Sequence, residues 1–142
     1  MKKPNRISLL IEDNRVTNFF NKQVLESSGV FHDVVALENC LEATNFLNPE
    51  KNSNRMPDVI FLDLYTPLMN GWEFLEKYEK LGKDLWGSVV ILHNEELLAE
   101  EKKKLDQYPF VKAKSSKNLN KESLYMLLKK IELKEGSLNQ IQ

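Results

Sequence analysis

Val59-Ile60-Phe61-Leu62-Asp63-Leu64-Tyr65-Thr66-Pro67 is the stretch that decides the fold: four apolar residues in a row, then a carboxylate, then a turn. A short apolar run with almost no alternation marks a strand covered on both faces, as in a parallel sheet. Ile7 to Ile11 and Val89 to Leu92 have the same character, and Asp33 to Leu37 and Phe110 to Ala113 are weaker candidates. Helical spacing fills the gaps. Val16, Phe19, Phe20, Gln23 and Val24 form one stripe that closes at Gly29, and Leu41 to Leu47 forms a second that halts at Pro49. Trp72, Leu75, Tyr78 and Leu81 form a third, ending at Gly82. Leu97, Leu98 and Leu105 mark a fourth, and Leu124, Leu127, Leu128 and Ile131 a fifth. Five β-α pairs specify an α/β fold, a doubly wound five-stranded parallel sheet with helices on both faces. The pattern runs from about residue 6 to about residue 132, a length suited to one domain. The polar stretch 134–142 reads as a frayed tail.

In sheets of this kind, ligands bind beyond the carboxyl ends of the strands. Glu12, Asp13 and Asn14 follow the first apolar run, Asp63 the third, His93 and Asn94 the fourth, and Ser115-Ser116-Lys117 the fifth. Three carboxylates and a lysine therefore converge on one sheet edge. Clustered carboxylates repel one another unless a cation or proton intervenes. A hard divalent cation such as Mg²⁺ relieves that repulsion with oxygen ligands, and a carboxylate beside it can act as a nucleophile toward phosphorus. The lysine supplies a point charge for phosphoryl oxygens. Taken singly, each residue has a plainer reading: Asp13 or Asn14 as a helix cap, Asp63 as a turn residue, Lys117 as a solvated lysine.

Composition excludes several other classes. The 142 residues carry 20 basic and 21 acidic side chains, a formal net charge of −1, which argues against a nucleic-acid partner. One cysteine, Cys40, excludes an internal disulfide and a cysteine-rich metal site. No apolar stretch approaches the roughly 20 residues needed to cross a bilayer, so no membrane association is expected. The apolar run after Met1-Lys2-Lys3-Pro4 is too short for a signal-peptide core, so a cytoplasmic location is expected. GxGxxG, GxxxxGK[ST] and GxSxG are all absent, and His32 and His93 lack zinc-ligand spacing. Glu100-Glu101-Lys102-Lys103-Lys104 reads as a solvated helix face with a Glu100–Lys104 pair.

The segment from Val59 through Asp63, Pro67 and Met69-Asn70-Gly71 to Leu75 resembles the phosphoacceptor segment of CheY-like response-regulator receiver domains. Leu10-Ile11-Glu12-Asp13-Asn14 is similar to that family's acidic pair, and Lys117 to its lysine after the fifth strand. The resemblance implies a flavodoxin-like (βα)5 fold with strand order 2-1-3-4-5, and a phosphoacceptor of a two-component or phosphorelay pathway. It implies Asp63 as the phosphorylated residue and Lys117 as the phosphoryl contact. Mg²⁺ would be held by Asp63, by Asp13 directly, by Glu12 in an assisting role and by the Tyr65 backbone carbonyl. It implies a histidine kinase or phosphotransfer protein as donor, a downstream protein as target, and no independent substrate turnover. A haloacid-dehalogenase-type phosphohydrolase also uses an aspartyl phosphate, but Tyr65 stands where its second aspartate belongs.

Three departures from the family's pattern stand out. His93, or Asn94 in a shifted register, stands where the family has its switch Ser or Thr. Lys114 replaces the switch aromatic, and the family's Lys-Pro is Lys117-Asn118, a bond expected to be trans. The usual transmission is therefore missing, and phosphorylation is expected to couple only weakly to the face formed by the last two strands and their helices. The alternative function is a pseudo-receiver, an interaction module independent of phosphorylation.

Overall fold

The structure, a computed structural model, describes residues 6–52 and 55–131. Five strands, β1 (Ile7–Ile11), β2 (Asp33–Leu37), β3 (Val59–Asp63), β4 (Ser88–His93) and β5 (Val111–Ser116), form one parallel sheet in the order β2-β1-β3-β4-β5. Among the described residues six α-helices accompany it: α1 (Arg15–Ser27), α2 (Cys40–Phe46), α3 (Pro49–Asn52), α4 (Gly71–Glu79), α5 (Ala99–Leu105) and α6 (Lys121–Lys130). The polar stretch 134–142 lies outside the described residues.

The three strong apolar runs are the three inner strands. Leu9, Ile11, Ile60, Leu62, Val89 and Ile91 pack on one side against Cys40 and Ala43 of α2, Phe74 and Leu75 of α4, and Leu105 of α5. Leu10, Val59, Phe61, Val90 and Leu92 pack on the other side against Leu25 of α1 and Leu124, Leu127 and Leu128 of α6. Burial on both faces is why these runs show no alternation. The weaker candidates are the edge strands β2 and β5, where partial exposure admits Asp33, Lys112 and Lys114. β5 starts one residue later than its apolar start and continues to Ser116. A bulge in β5 pairs Val89 with Val111 but Val90 with Ala113, so His93 stands opposite Ser116.

Helix α1 departs from its sequence reading. It stops at the expected place, with Gly29 at φ 75° just beyond its cap. Its apolar stripe, however, faces outward: Val16 is 66% exposed and Phe19 and Phe20 are each 57% exposed. The buried face carries Asn18, Asn21 and Leu25. The cause is position along the sheet. The first turns of α1 lie over the ends of the strands, where the neighbours are loop carbonyls rather than hydrocarbon. Asn18 Nδ2 donates to the carbonyls of Glu12 at 2.8 Å and Leu37 at 3.0 Å. Asn21 Nδ2 donates to the Lys117 carbonyl at 2.7 Å, and its Oδ1 accepts the Leu119 N–H at 3.0 Å. Buried backbone groups need partners, and that need outweighs burial of two phenylalanines.

Candidate functional site

The carboxyl edge of the sheet is assembled by strand ends and held by the turns that follow them. After β3 the chain folds back through Thr66, whose Oγ1 donates to the Met69 carbonyl at 3.0 Å. Leu68 sits at φ 75°, with the Met69 N–H bonded to the Pro67 carbonyl at 2.9 Å, a tight three-residue turn. Gly71 then places its N–H 2.6 Å from the Leu64 carbonyl. A Cβ there would stand 2.7 Å from Leu64 Cα, so only glycine permits this approach. After β1, Asn14 caps α1 by accepting the Thr17 N–H at 3.0 Å, so for Asn14 the plain capping role holds.

These turns bring the sequence-predicted residues together. Carboxylate oxygens of Glu12, Asp13 and Asp63 lie within 4.8 Å of one another, and Lys117 Nζ donates to Asp63 Oδ2 at 3.0 Å. Asp63 is 1% exposed and Glu12 is fully buried, whereas Asp13 is exposed. The Tyr65 N–H donates to Asp63 Oδ1 at 3.1 Å. His93 and Asn94 both border the same cleft of about 400 Å³, whose walls include Asp63, Tyr65, Glu101 and Lys117. His93 Nδ1 is 2.8 Å from the Glu95 carbonyl, which can only accept, so Nδ1 is the donor of this contact. Lys114, paired with Ile91 in the register, is half-buried on the edge strand. No cis peptide occurs among the described residues, so the Lys117-Asn118 bond is trans as expected.

The electrostatics follow from burial. Desolvation raises the Glu12 carboxyl from 4.5 to about 7; the nearby Asp63 charge adds to the rise, while the Asn14 N–H and the Lys117 charge oppose it. Burial alone would lower Lys117, but its hydrogen bond with Asp63 and the charges of Asp63, Glu12 and Asp13 raise it overall. Glu12 Oε2 accepts the Asn14 N–H at 3.1 Å, whereas Glu12 Oε1 is buried with no partner. A buried carboxylate oxygen without a donor, beside two further carboxylates and one lysine, is a donor set that fits a hard divalent cation.

Sequence reasoning missed Glu101. It was expected on a solvated face, yet its carboxylate accepts both the Tyr65 hydroxyl and, at 2.9 Å, the Leu98 N–H that opens α5. Those two bonds, the Tyr65 one first, hold Glu101 below its usual range, and the same bond raises the Tyr65 phenol. The legible signal was a glutamate three residues after the cap position, where such side chains reach back. The expected Glu100–Lys104 pair is not formed among the described residues; Lys104 Nζ lies over the Trp72 ring, 4.4 Å from its centroid.

No protein-family model matches the chain. Response regulator Rcp1 of Synechocystis is 33% identical over 100 residues, covering 66% of this chain and 67% of that protein. The chain belongs to the response-regulator receiver family. Among solved structures, a two-component response regulator from Cytophaga hutchinsonii superposes on this receiver with a TM-score of 0.77 at 24% identity, covering 92% of this chain and 98% of that one. The Mn²⁺-bound form of Rcp1 superposes with a TM-score of 0.67 at 27% identity, covering 89% and 91%. This receiver therefore has a role in two-component signalling, and its acidic cluster stands at the carboxyl edge of the family's sheet. No described helix is long and apolar enough to cross a membrane.

Proposed function

We propose that this receiver accepts a phosphoryl group on Asp63, with Mg²⁺ as cofactor, from a histidine kinase or phosphotransfer protein, and signals by contact with another protein. The observation that carries the reading is the setting of Asp63: nearly inaccessible, paired with Lys117 at 3.0 Å, and within 4.8 Å of Glu12 and Asp13. A structural aspartate needs the lysine but not two more carboxylates, which only raise its energy.

A carboxylate oxygen of Asp63 forms a bond to phosphorus while the bond from phosphorus to the donor's imidazole nitrogen breaks. The electron pair returns to that nitrogen, and the product is an acyl phosphate. Lys117 neutralises the attacking carboxylate beforehand and follows the charge onto the phosphoryl oxygens afterwards. Asp63, Asp13 and the Tyr65 carbonyl would hold the cation, with Glu12 assisting. Bound there, Mg²⁺ would neutralise phosphoryl charge. Support for a divalent site comes from the partnerless Glu12 Oε1 and from the Mn²⁺ that the related Rcp1 holds. Val16, Phe19 and Phe20, turned outward beside Asp13, offer an apolar seat for the donor protein.

The test is mass spectrometry after incubation with acetyl phosphate and Mg²⁺. One hydroxylamine-labile phosphoryl group is expected on the wild-type chain and none on a folded Asp63→Asn variant. Labelling that persists in the variant would move the acceptor elsewhere. No labelling of the wild type would favour the phosphorylation-independent module.

A further inference from the structure

The family's hydroxyl and aromatic switch residues are absent, yet a different connection leaves the acceptor. Asp63 Oδ1 accepts the Tyr65 N–H at 3.1 Å, the Tyr65 hydroxyl donates to Glu101 Oε2, and Glu101 Oε1 accepts the Leu98 N–H at 2.9 Å. Three hydrogen bonds thus join the acceptor carboxylate to the first turn of α5. Tyr65, Leu98 and Glu101 are also walls of the cleft that contains Asp63 and Lys117. Neither Tyr65 nor Glu101 is part of the hydrophobic core: Tyr65 is 59% exposed, and Glu101 is half-buried at the cleft wall, one turn before the buried Leu105.

We propose that Tyr65 and Glu101 form a charge-sensitive latch that ties α5 to the acceptor and opens when Asp63 is phosphorylated. The proposal rests on Asp63 being the acceptor. A ligand shifts an equilibrium only through contacts that differ between the two states. Here the difference is charge. Phosphorylation takes Asp63 from a carboxylate of charge −1 to an acyl phosphate of close to −2, about one further negative charge in the cleft, and the carboxylate of Glu101 is on the wall of that cleft. Like charges repel, so Glu101 is pushed from Tyr65 and the phenol becomes free to donate elsewhere. Once displaced, Glu101 leaves the Leu98 N–H without its cap, and the first turn of α5 loosens. Phosphorylation is thereby read out at α5 by loss of a contact, without any inward movement of Lys114 or rotation of a hydroxyl.

Two substitutions separate the parts of the latch. Tyr65→Phe removes the tie to the acceptor, leaving Glu101 held only by the Leu98 N–H in the unmodified protein. Glu101→Gln keeps an acceptor for Leu98 and a neutral partner for Tyr65, but removes the charge that a phosphoryl group repels. Both positions are at the surface, so both variants should fold. With Mg²⁺ present throughout, beryllofluoride is added as the phosphoryl mimic, and hydrogen exchange of the Leu98 amide and bound fluoride are followed by NMR. In the wild type, exchange at Leu98 is expected to accelerate roughly fivefold on binding. Tyr65→Phe should start faster than the wild type, because Glu101 is held there by Leu98 alone, and should accelerate further on addition; Glu101→Gln should stay slow throughout. Bound fluoride with an unchanged Leu98 amide in the wild type would overturn the latch alone. A Glu101→Gln variant that responds like the wild type would overturn its charge mechanism. Absence of bound fluoride in the wild type would overturn the acceptor reading, and the latch with it.

Discussion

Glu12→Gln isolates the electrostatic cost of the acidic cluster. The substitution keeps size and shape, and its amide can still accept the Asn14 N–H that Glu12 Oε2 accepts now. In the metal-free protein, burial lifts Glu12 from 4.5 to about 7. A carboxyl raised on folding stabilises fully below its unfolded value, and that contribution is lost as pH rises through the folded value. Between about pH 4.5 and pH 7 the wild type therefore loses on the order of 3 kcal/mol from this one group. That is roughly 10 °C in Tm for a chain of this size. The variant has nothing to titrate there. Thermal unfolding in chelator from pH 5 to pH 8.5 should show the wild type falling away from Glu12→Gln, with the two close at pH 5 and the variant more stable at pH 8. Mg²⁺ favours the ionised form, so its affinity for the wild type should rise as pH climbs through 7. At a hundredfold over Kd it should restore about 2.7 kcal/mol. Parallel Tm curves for the two proteins in chelator would refute the reasoning, because they would mean that Glu12 does not carry this burden.

Three further outcomes follow from other parts of the structure. Phe19→Ser with Phe20→Ser should change stability by no more than about 0.5 kcal/mol in urea unfolding, since both rings are mostly exposed, yet should slow phosphotransfer from a cognate histidine kinase while labelling by acetyl phosphate stays unchanged. Gly71→Ala should lower stability by roughly 1–3 kcal/mol, because its Cβ would meet Leu64 backbone at 2.7 Å; a variant of wild-type urea midpoint would show that this turn yields easily. Asn21→Ala strands the Lys117 carbonyl and the Leu119 N–H, so a loss of about 1–3 kcal/mol is expected, with weaker acetyl phosphate labelling as Lys117 loses its support.

The sequence by itself determined the parts of this receiver that depend on local burial and on chain order. The three inner strands were legible because strands covered on both faces carry few polar residues, and the interiors of Ile7–Ile11, Val59–Asp63 and Ser88–His93 show it, with Ser8 the one polar exception. Glu12, Asp13, Asp63 and Lys117 were legible because residues just past strand ends in a parallel sheet share one edge whatever lies between them in sequence. Only the tertiary structure decided which way α1 faces. Periodicity reveals that Val16, Phe19 and Phe20 share a stripe, but the helix turns toward whatever its surroundings lack, and carbonyls of Glu12, Leu37 and Lys117 needed the amides of Asn18 and Asn21. Only the tertiary structure, likewise, joined Tyr65 to Glu101. Thirty-six positions separate them, and neither side chain announces a partner until β3 and α5 stand across one cleft. Burial acts on each residue where it stands, so it leaves a trace in the chain; a hydrogen bond between two exposed side chains depends on how distant elements are placed, and leaves none.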